Sequence, residues 1–205
     1  MSQMSQSELE DMMEVLFSST VVLTIVGIIC LVGIVIFAAY YVLSAIGLYR
    51  MAKKAGYDKA WLAWIPYANI WLMFNLPKNE YRVLALNKEI SDRSNAFWIY
   101  IAIMYGTNIA IMILEFIPII NWIVAILSPL VSVALILANI FMMYPVYKDL
   151  FSMFLPESTA KNYAVASMIC TYFVPIVPPI LMLIASGKEL MEQPVEVIDS
   201  SYTYY

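Results

Sequence analysis

Apolar and polar residues fall along this chain in long blocks rather than in alternating faces. From Ser18 to Tyr49 no charged residue occurs, through VVLTIVGIICLVGIVIFAAYYVLSAIGLY. That run predicts a first membrane span over 18–49, a helix of roughly 48 Å against a hydrocarbon core of about 30 Å. The surplus length is expected to tilt, or to carry Tyr40, Tyr41 and Tyr49 through the headgroup region. A second apolar block, Trp61 to Leu76, is interrupted by Pro66 and Asn69. Lys53, Lys54 and Lys59 precede it and Lys78, Arg82, Lys88 and Arg93 follow it, so both ends belong on one side of the membrane. Residues 61–76 are therefore predicted as a non-crossing, re-entrant or interfacial hairpin, with Asp58 capping its first arm and Pro66 opening its second.

Residues 78–95 are polar, and Val83, Leu86 and Ile90 suggest a short amphipathic helix at the membrane surface. Further spans are predicted at 96–114, 122–147 and 163–185, joined by the tight turn EFIPIIN and by a polar loop over 148–162. Pro129 and Pro145 are read as kinks, because neighbouring groups satisfy the carbonyl that a proline frees inside a membrane. Pro175, Pro178 and Pro179 leave open a second reading of 163–185, as another re-entrant hairpin. The basic turns after Tyr49 and Tyr147, each leading to an apolar run with an early proline, hint at an internal repeat.

The expected fold is thus all-α: a polytopic helical bundle of about four spans with one cytoplasmic-side hairpin. Residues 1–17 form an acidic extracytoplasmic segment, 18–185 one membrane domain, and 186–205 an acidic, tyrosine-rich tail. Composition agrees, since 63% of the 205 residues are hydrophobic and 13% charged, far from the proportions of a soluble domain. Of eleven Lys and Arg residues, eight lie in 50–95 and two in 148–162. The positive-inside rule makes those loops cytoplasmic and the N-terminus extracytoplasmic, in a cell membrane.

Chemistry is sparse. Without histidine, and with Cys30 and Cys170 inside apolar runs, histidine-based catalysis and most zinc or haem sites are excluded. Both cysteines are read as small buried hydrophobes. No phosphate-binding glycine loop appears. No cofactor, metal or nucleic-acid partner is expected, and the chain is not expected to be an enzyme. Trp61, Trp64 and Trp71 fall within about 80° of one another on a continuous helix, which suits a face at headgroup level. With Pro66 and Asn69 at the bend they form the candidate interaction site. Arg50, Lys53, Lys54 and Lys59 are candidate contacts for anionic lipid. Asn108 and Asn139 are the deepest polar residues of their spans, and Glu115 lies between long apolar runs. They are candidate intramembrane polar positions, against the plainer reading of interhelical hydrogen bonds and a solvated turn. No buried ion pair is expected.

The run from Met51 to Asn69, MAKKAGYDKAWLAWIPYAN, resembles a group of small bacterial integral membrane proteins, common in Gram-positive organisms. In these a long helix enters a basic Ala/Gly turn and then a W-x-A-x-I-P-x-x-N segment. The resemblance implies a topology and no established activity. The acidic N-terminus and the Tyr-rich tail depart from it. Two functions are weighed. One is an accessory or regulatory protein that binds lipid or another membrane protein through the hairpin. The other is a small transporter or channel component, acting alone or as a homo-oligomer, with a path along Asn108, Asn139 and the proline-kinked spans.

Overall fold

A computed structural model describes residues 6–79, 81–83, 89–90 and 92–191. The described elements are helical apart from one short strand pair: α1 (Gln6–Lys54), a 3₁₀ turn (Ala60–Trp64), α2 (Ala68–Asn75), β1 (Tyr81–Arg82), β2 (Glu89–Ile90), α3 (Arg93–Ile101), a π-helical turn (Ala102–Gly106), α4 (Thr107–Glu115), α5 (Pro118–Ser152), α6 (Glu157–Phe173) and α7 (Val177–Ser186). The chain divides into two units, Met1–Tyr41 and Val42–Tyr205. The described part of the first, from Gln6, is helical throughout, and its side chains from Ser19 to Ala39 are all exposed. Such a surface suits lipid, where every backbone group is satisfied within the helix and apolar side chains need no cover.

Three helices among the described residues are long and apolar enough to cross a membrane: Ser19–Lys54, Arg93–Glu115 and Ile120–Ser152. α3, the π turn and α4 together make the second of these. α5 runs unbroken through Pro129 and Pro145, so both prolines sit inside a continuing helix. The expected loop over 148–162 is mostly helix, because α5 extends to Ser152 and α6 starts at Glu157.

The apolar run 163–185 is not one helix. α6 ends at Phe173, Val174 leaves helical geometry (φ −140°, ψ 75°), and α7 begins at Val177. Pro175 biases Val174 away from helix, and Pro178 and Pro179 sit in the first turn of α7, where missing N–H groups cost nothing. α7 packs back on α6. Beyond it, the Met191 N–H donates to the Met153 carbonyl at 2.8 Å and the Lys54 ammonium to the Lys188 carbonyl at 2.7 Å. The chain that leaves α5 at Met153 is therefore back beside it at Met191.

Residues 78–95 also differ from expectation. Tyr81 pairs with Ile90 and Arg82 with Glu89 in an antiparallel ladder, while Leu86 lies outside the described residues. Arg93, expected in the polar segment, begins α3.

Within the second unit the core is concentrated at one end. Leu48, Met51 and Ala52 of α1, Ala63, Leu72 and Phe74 around α2, Ala96 and Phe97 of α3, Val146, Leu150 and Phe151 of α5, Ala160 and Ala164 of α6, and Met182 and Ala185 of α7 are buried together. Gly47 permits the closest approach. A Cβ there would stand 3.1 Å from the Met182 Cβ and 3.2 Å from the Leu183 nitrogen. Gly27 and Gly33 have no such neighbour. Cys30 is exposed on α1 and Cys170 half-buried, which corrects the expectation that both are buried.

Candidate functional site

α3 begins where Asp92 caps it, its Oδ1 accepting from the Ser94 N–H at 2.9 Å. This start places Arg93 in the first turn, with its side chain buried to 7% exposure. Nε donates to the Asn79 carbonyl at 2.5 Å and Nη1 to the Phe74 carbonyl at 3.0 Å. Nη2 donates to Asn79 Oδ1 at 2.8 Å and to the Asp149 carboxylate, with which Arg93 forms a buried ion pair. A guanidinium reaches four acceptors at once because its donors radiate from a rigid plane; lysine has no such fork.

Each contact satisfies something the fold would otherwise leave open. Phe74 is near the C-terminus of α2, where carbonyls lack intrahelical donors and a cation is favoured. Asp149 is near the C-terminus of α5, where a lone carboxylate is disfavoured, and Arg93 neutralises it. Arg93 thus fastens α2, the turn at Asn79 and α5 to the start of α3.

Tyr81 completes the cluster. It is fully buried, with the Arg93 guanidinium 5.9 Å from its ring centre and Phe74 packed at 5.6 Å. Its hydroxyl donates to the Met142 carbonyl at 2.7 Å, next to the Phe141 carbonyl that Pro145 deprives of its helical donor. Burial pushes the Tyr81 hydroxyl well above the ordinary tyrosine range; Arg93 opposes the shift and Asp149 and Tyr100 add to it. The expectation of no buried ion pair is overturned. Arg93 stands at the start of one long apolar helix and Asp149 near the end of the next. Antiparallel neighbours bring those two ends together, and that was the signal available in the sequence.

The segment expected as a hairpin bends at Ile65, which is extended (φ −103°, ψ 125°) before Pro66. Tyr67 then takes a positive φ of 65°, rare for a residue with a Cβ, and α2 follows. Asn69 Oδ1 accepts from the Ile70 N–H at 2.7 Å, one of the first-turn donors of α2 that lack helical partners. Lys59, not Asp58, stands at the cap of the 3₁₀ turn, with no side-chain hydrogen bond there. Trp61 and Trp64 are 55% and 45% exposed on that turn, while Ala60 and Ala63 are buried. Trp71, on α2, packs partly buried against the core. The three rings do not share one helix face, because helical spacing does not carry across the break at Pro66. Trp98, which the sequence reading passed over, is 61% exposed on α3.

The basic candidates lie at the end of α1 and beyond it. Arg50, Lys53, Lys54 and Lys59 are exposed. Lys53 lies 6.0 Å from the Tyr49 ring centre, and Lys54 holds the Lys188 carbonyl. The intramembrane candidates stand apart from this cluster. The Asn108 carboxamide donates to the Met104 carbonyl at 2.5 Å, inside the π turn. It repairs its own helix rather than bridging to another. Asn139 is half-buried on α5. Glu115, the last residue of α4, is exposed and lines a shallow surface pocket of about 200 Å³ with Met112 and Phe116. No protein-family profile, curated protein or solved structure matches the chain.

Proposed function

We propose that this chain is a non-enzymatic accessory membrane protein that works from the cytoplasmic face. Its contact is the turn and helix over 60–76, which meets anionic lipid headgroups or the adjoining surface of another membrane protein. The observation that carries this reading is the pair Trp61 and Trp64. Both are held outward by a turn whose Ala60 and Ala63 are locked into the core. Indole rings fixed at an apolar–polar boundary suit the headgroup layer, and Arg50, Lys53, Lys54 and Lys59 supply the matching positive charge.

The proposed topology has three crossings and two hairpins that enter and return on the cytoplasmic side, 60–76 and 157–186. The return of the chain to Met153 and Lys54 after α7 supports the second hairpin. In this arrangement all eleven Lys and Arg residues, Lys188 included, lie on the cytosolic side of the membrane. The resemblance over Met51–Asn69 supports the same class of small bacterial membrane protein. A solute path along Asn108 and Asn139 has weaker support, since Asn108 spends its amide on its own helix.

The test is tryptophan quenching in proteoliposomes by brominated phosphatidylglycerol against brominated phosphatidylcholine. Stronger quenching by the anionic lipid is expected, reduced both in Trp61→Phe/Trp64→Phe and when Arg50, Lys53, Lys54 and Lys59 are changed to Gln. Equal quenching by the two lipids would remove lipid as the ligand. A stoichiometric protein that co-purifies with the wild type but not with the tryptophan variant would then identify the partner as protein.

A further inference from the structure

We infer that the basic cluster has a competing ligand within its own chain, the acidic segment that follows α7. This rests on the reading of Arg50, Lys53, Lys54 and Lys59 as an anionic-lipid contact. The geometry that leads to it lies in residues 187–191. The Lys54 ammonium donates to the Lys188 carbonyl at 2.7 Å and the Met191 N–H to the Met153 carbonyl at 2.8 Å. The chain is thereby fastened at the end of α1, directly beside the cations. From that anchor the sequence continues with Glu192, Glu196 and Asp199, after Glu189, and holds no Lys or Arg beyond Lys188.

Reach is no obstacle. Five residues beyond Met191 bring Glu196 within at most about 18 Å of it, and eight bring Asp199 within about 28 Å. Tethered anions act at high effective concentration and exclude a weak external ligand of the same charge. Lipid phosphate and tail carboxylate are both oxyanions that Lys and Arg bind through charge-assisted hydrogen bonds. The acidic segment therefore lowers the affinity of the cluster for anionic lipid, and membranes rich in such lipid displace it. Salt screens both contacts.

The experiment uses full-length protein in neutral detergent, titrated with short-chain phosphatidylglycerol. Three forms are compared: wild type, Glu192→Gln/Glu196→Gln/Asp199→Asn, and Arg50→Gln/Lys53→Gln/Lys54→Gln/Lys59→Gln. The acidic-segment variant is expected to bind roughly three- to tenfold more tightly than wild type, and the basic variant to lose binding. Zero-length carbodiimide crosslinking of wild type should join Lys53, Lys54 or Lys59 to Glu192, Glu196 or Asp199, and added phosphatidylglycerol should suppress those crosslinks. Unchanged affinity in the acidic-segment variant, with binding still lost in the basic one, would overturn the competition and leave the lipid contact standing. Binding retained by the basic variant would overturn both. The four basic residues changed are all exposed, and a melting curve of each variant in the same detergent separates loss of binding from loss of folding.

Discussion

The two ends of α5 differ sharply. From Ile123 to Leu137 its large apolar side chains are mostly bare, with Ile126 and Leu130 among the most exposed. From Met142 to Phe151 most residues are buried, and Val146, Leu150 and Phe151 are fully so. The bare stretch is the more uniformly apolar of the two, and the packed one carries Lys148 and Asp149, so hydrophobicity alone does not explain the contrast. In lipid an apolar side chain gains little by leaving its neighbours for another helix, because the tails are as apolar as leucine. At the packed end the chain breaks, turns and exposes backbone ends, and those ends need partners. The packed end is where α1, α5, α6 and α7 begin or finish and where α2 is fastened by Arg93. Order in this protein is concentrated where the backbone is irregular.

The sharpest way to break that contrast is to leave one buried charge alone. Asp149→Leu or Arg93→Met should each lower stability by about 3–5 kcal/mol, whereas Arg93→Met together with Asp149→Leu should lose far less than the two single losses added. Melting temperatures in mild detergent, combined as a double-mutant cycle, measure the coupling. Simple additivity would show that the pair does not hold the packed end.

The glycines test the same difference by size. Gly47→Val should cost about 1–3 kcal/mol through overpacking against Met182 and Leu183. Gly33→Val should change little, because nothing lies within 4 Å of the added carbon. Similar losses at both positions would contradict the contrast.

Pro66→Leu removes the constraint that keeps Ile65 extended and favours one continuous helix across 61–76. A loss of about 1–2 kcal/mol is expected, with reduced quenching of Trp61 and Trp64 by anionic brominated lipid. Lys78→Gln, at an exposed position of the same segment, should change neither melting temperature nor quenching.

Tyr81→Phe is the mildest of these changes. It removes the hydrogen bond to the Met142 carbonyl, worth about 1 kcal/mol. It also alters the response to alkali. Tyr81 holds its proton more tightly folded than unfolded, so its contribution is complete below about pH 10 and falls as pH rises beyond it. Wild type should therefore lose stability more steeply than Tyr81→Phe above pH 10, in melts recorded across that range.

Much of this was legible in the sequence. Long uncharged runs marked the three helices long and apolar enough to cross a membrane, and Ile65-Pro66 marked a bend, because those signals are local. Cross-chain pairing was not. Arg93 read as one more loop cation and Asp149 was hidden next to Lys148, since the signal that joins them is the antiparallel return of two long helices and no local pattern. The Val83, Leu86, Ile90 spacing suggested a helix, but Tyr81, Arg82, Glu89 and Ile90 join a strand pair; three positions are too few to fix a period. Residues 163–185 carried the right length for a span. Their prolines already held the alternative of a break, and the helix does break at Val174.

The most direct test is the side of the membrane on which the ends of the two broken apolar runs emerge. In a chain carrying Cys30→Ser and Cys170→Ser, single cysteines at Lys59, Lys78 and Lys188 are exposed to an impermeant thiol reagent in intact cells and again after lysis. Protection of all three in intact cells, with labelling after lysis, is the expected result. Labelling of Lys188→Cys in intact cells would mean that α6 and α7 cross the bilayer. Labelling of only one of Lys59→Cys and Lys78→Cys would mean that residues 61–76 cross, and the packed end would not be a single cytoplasmic face.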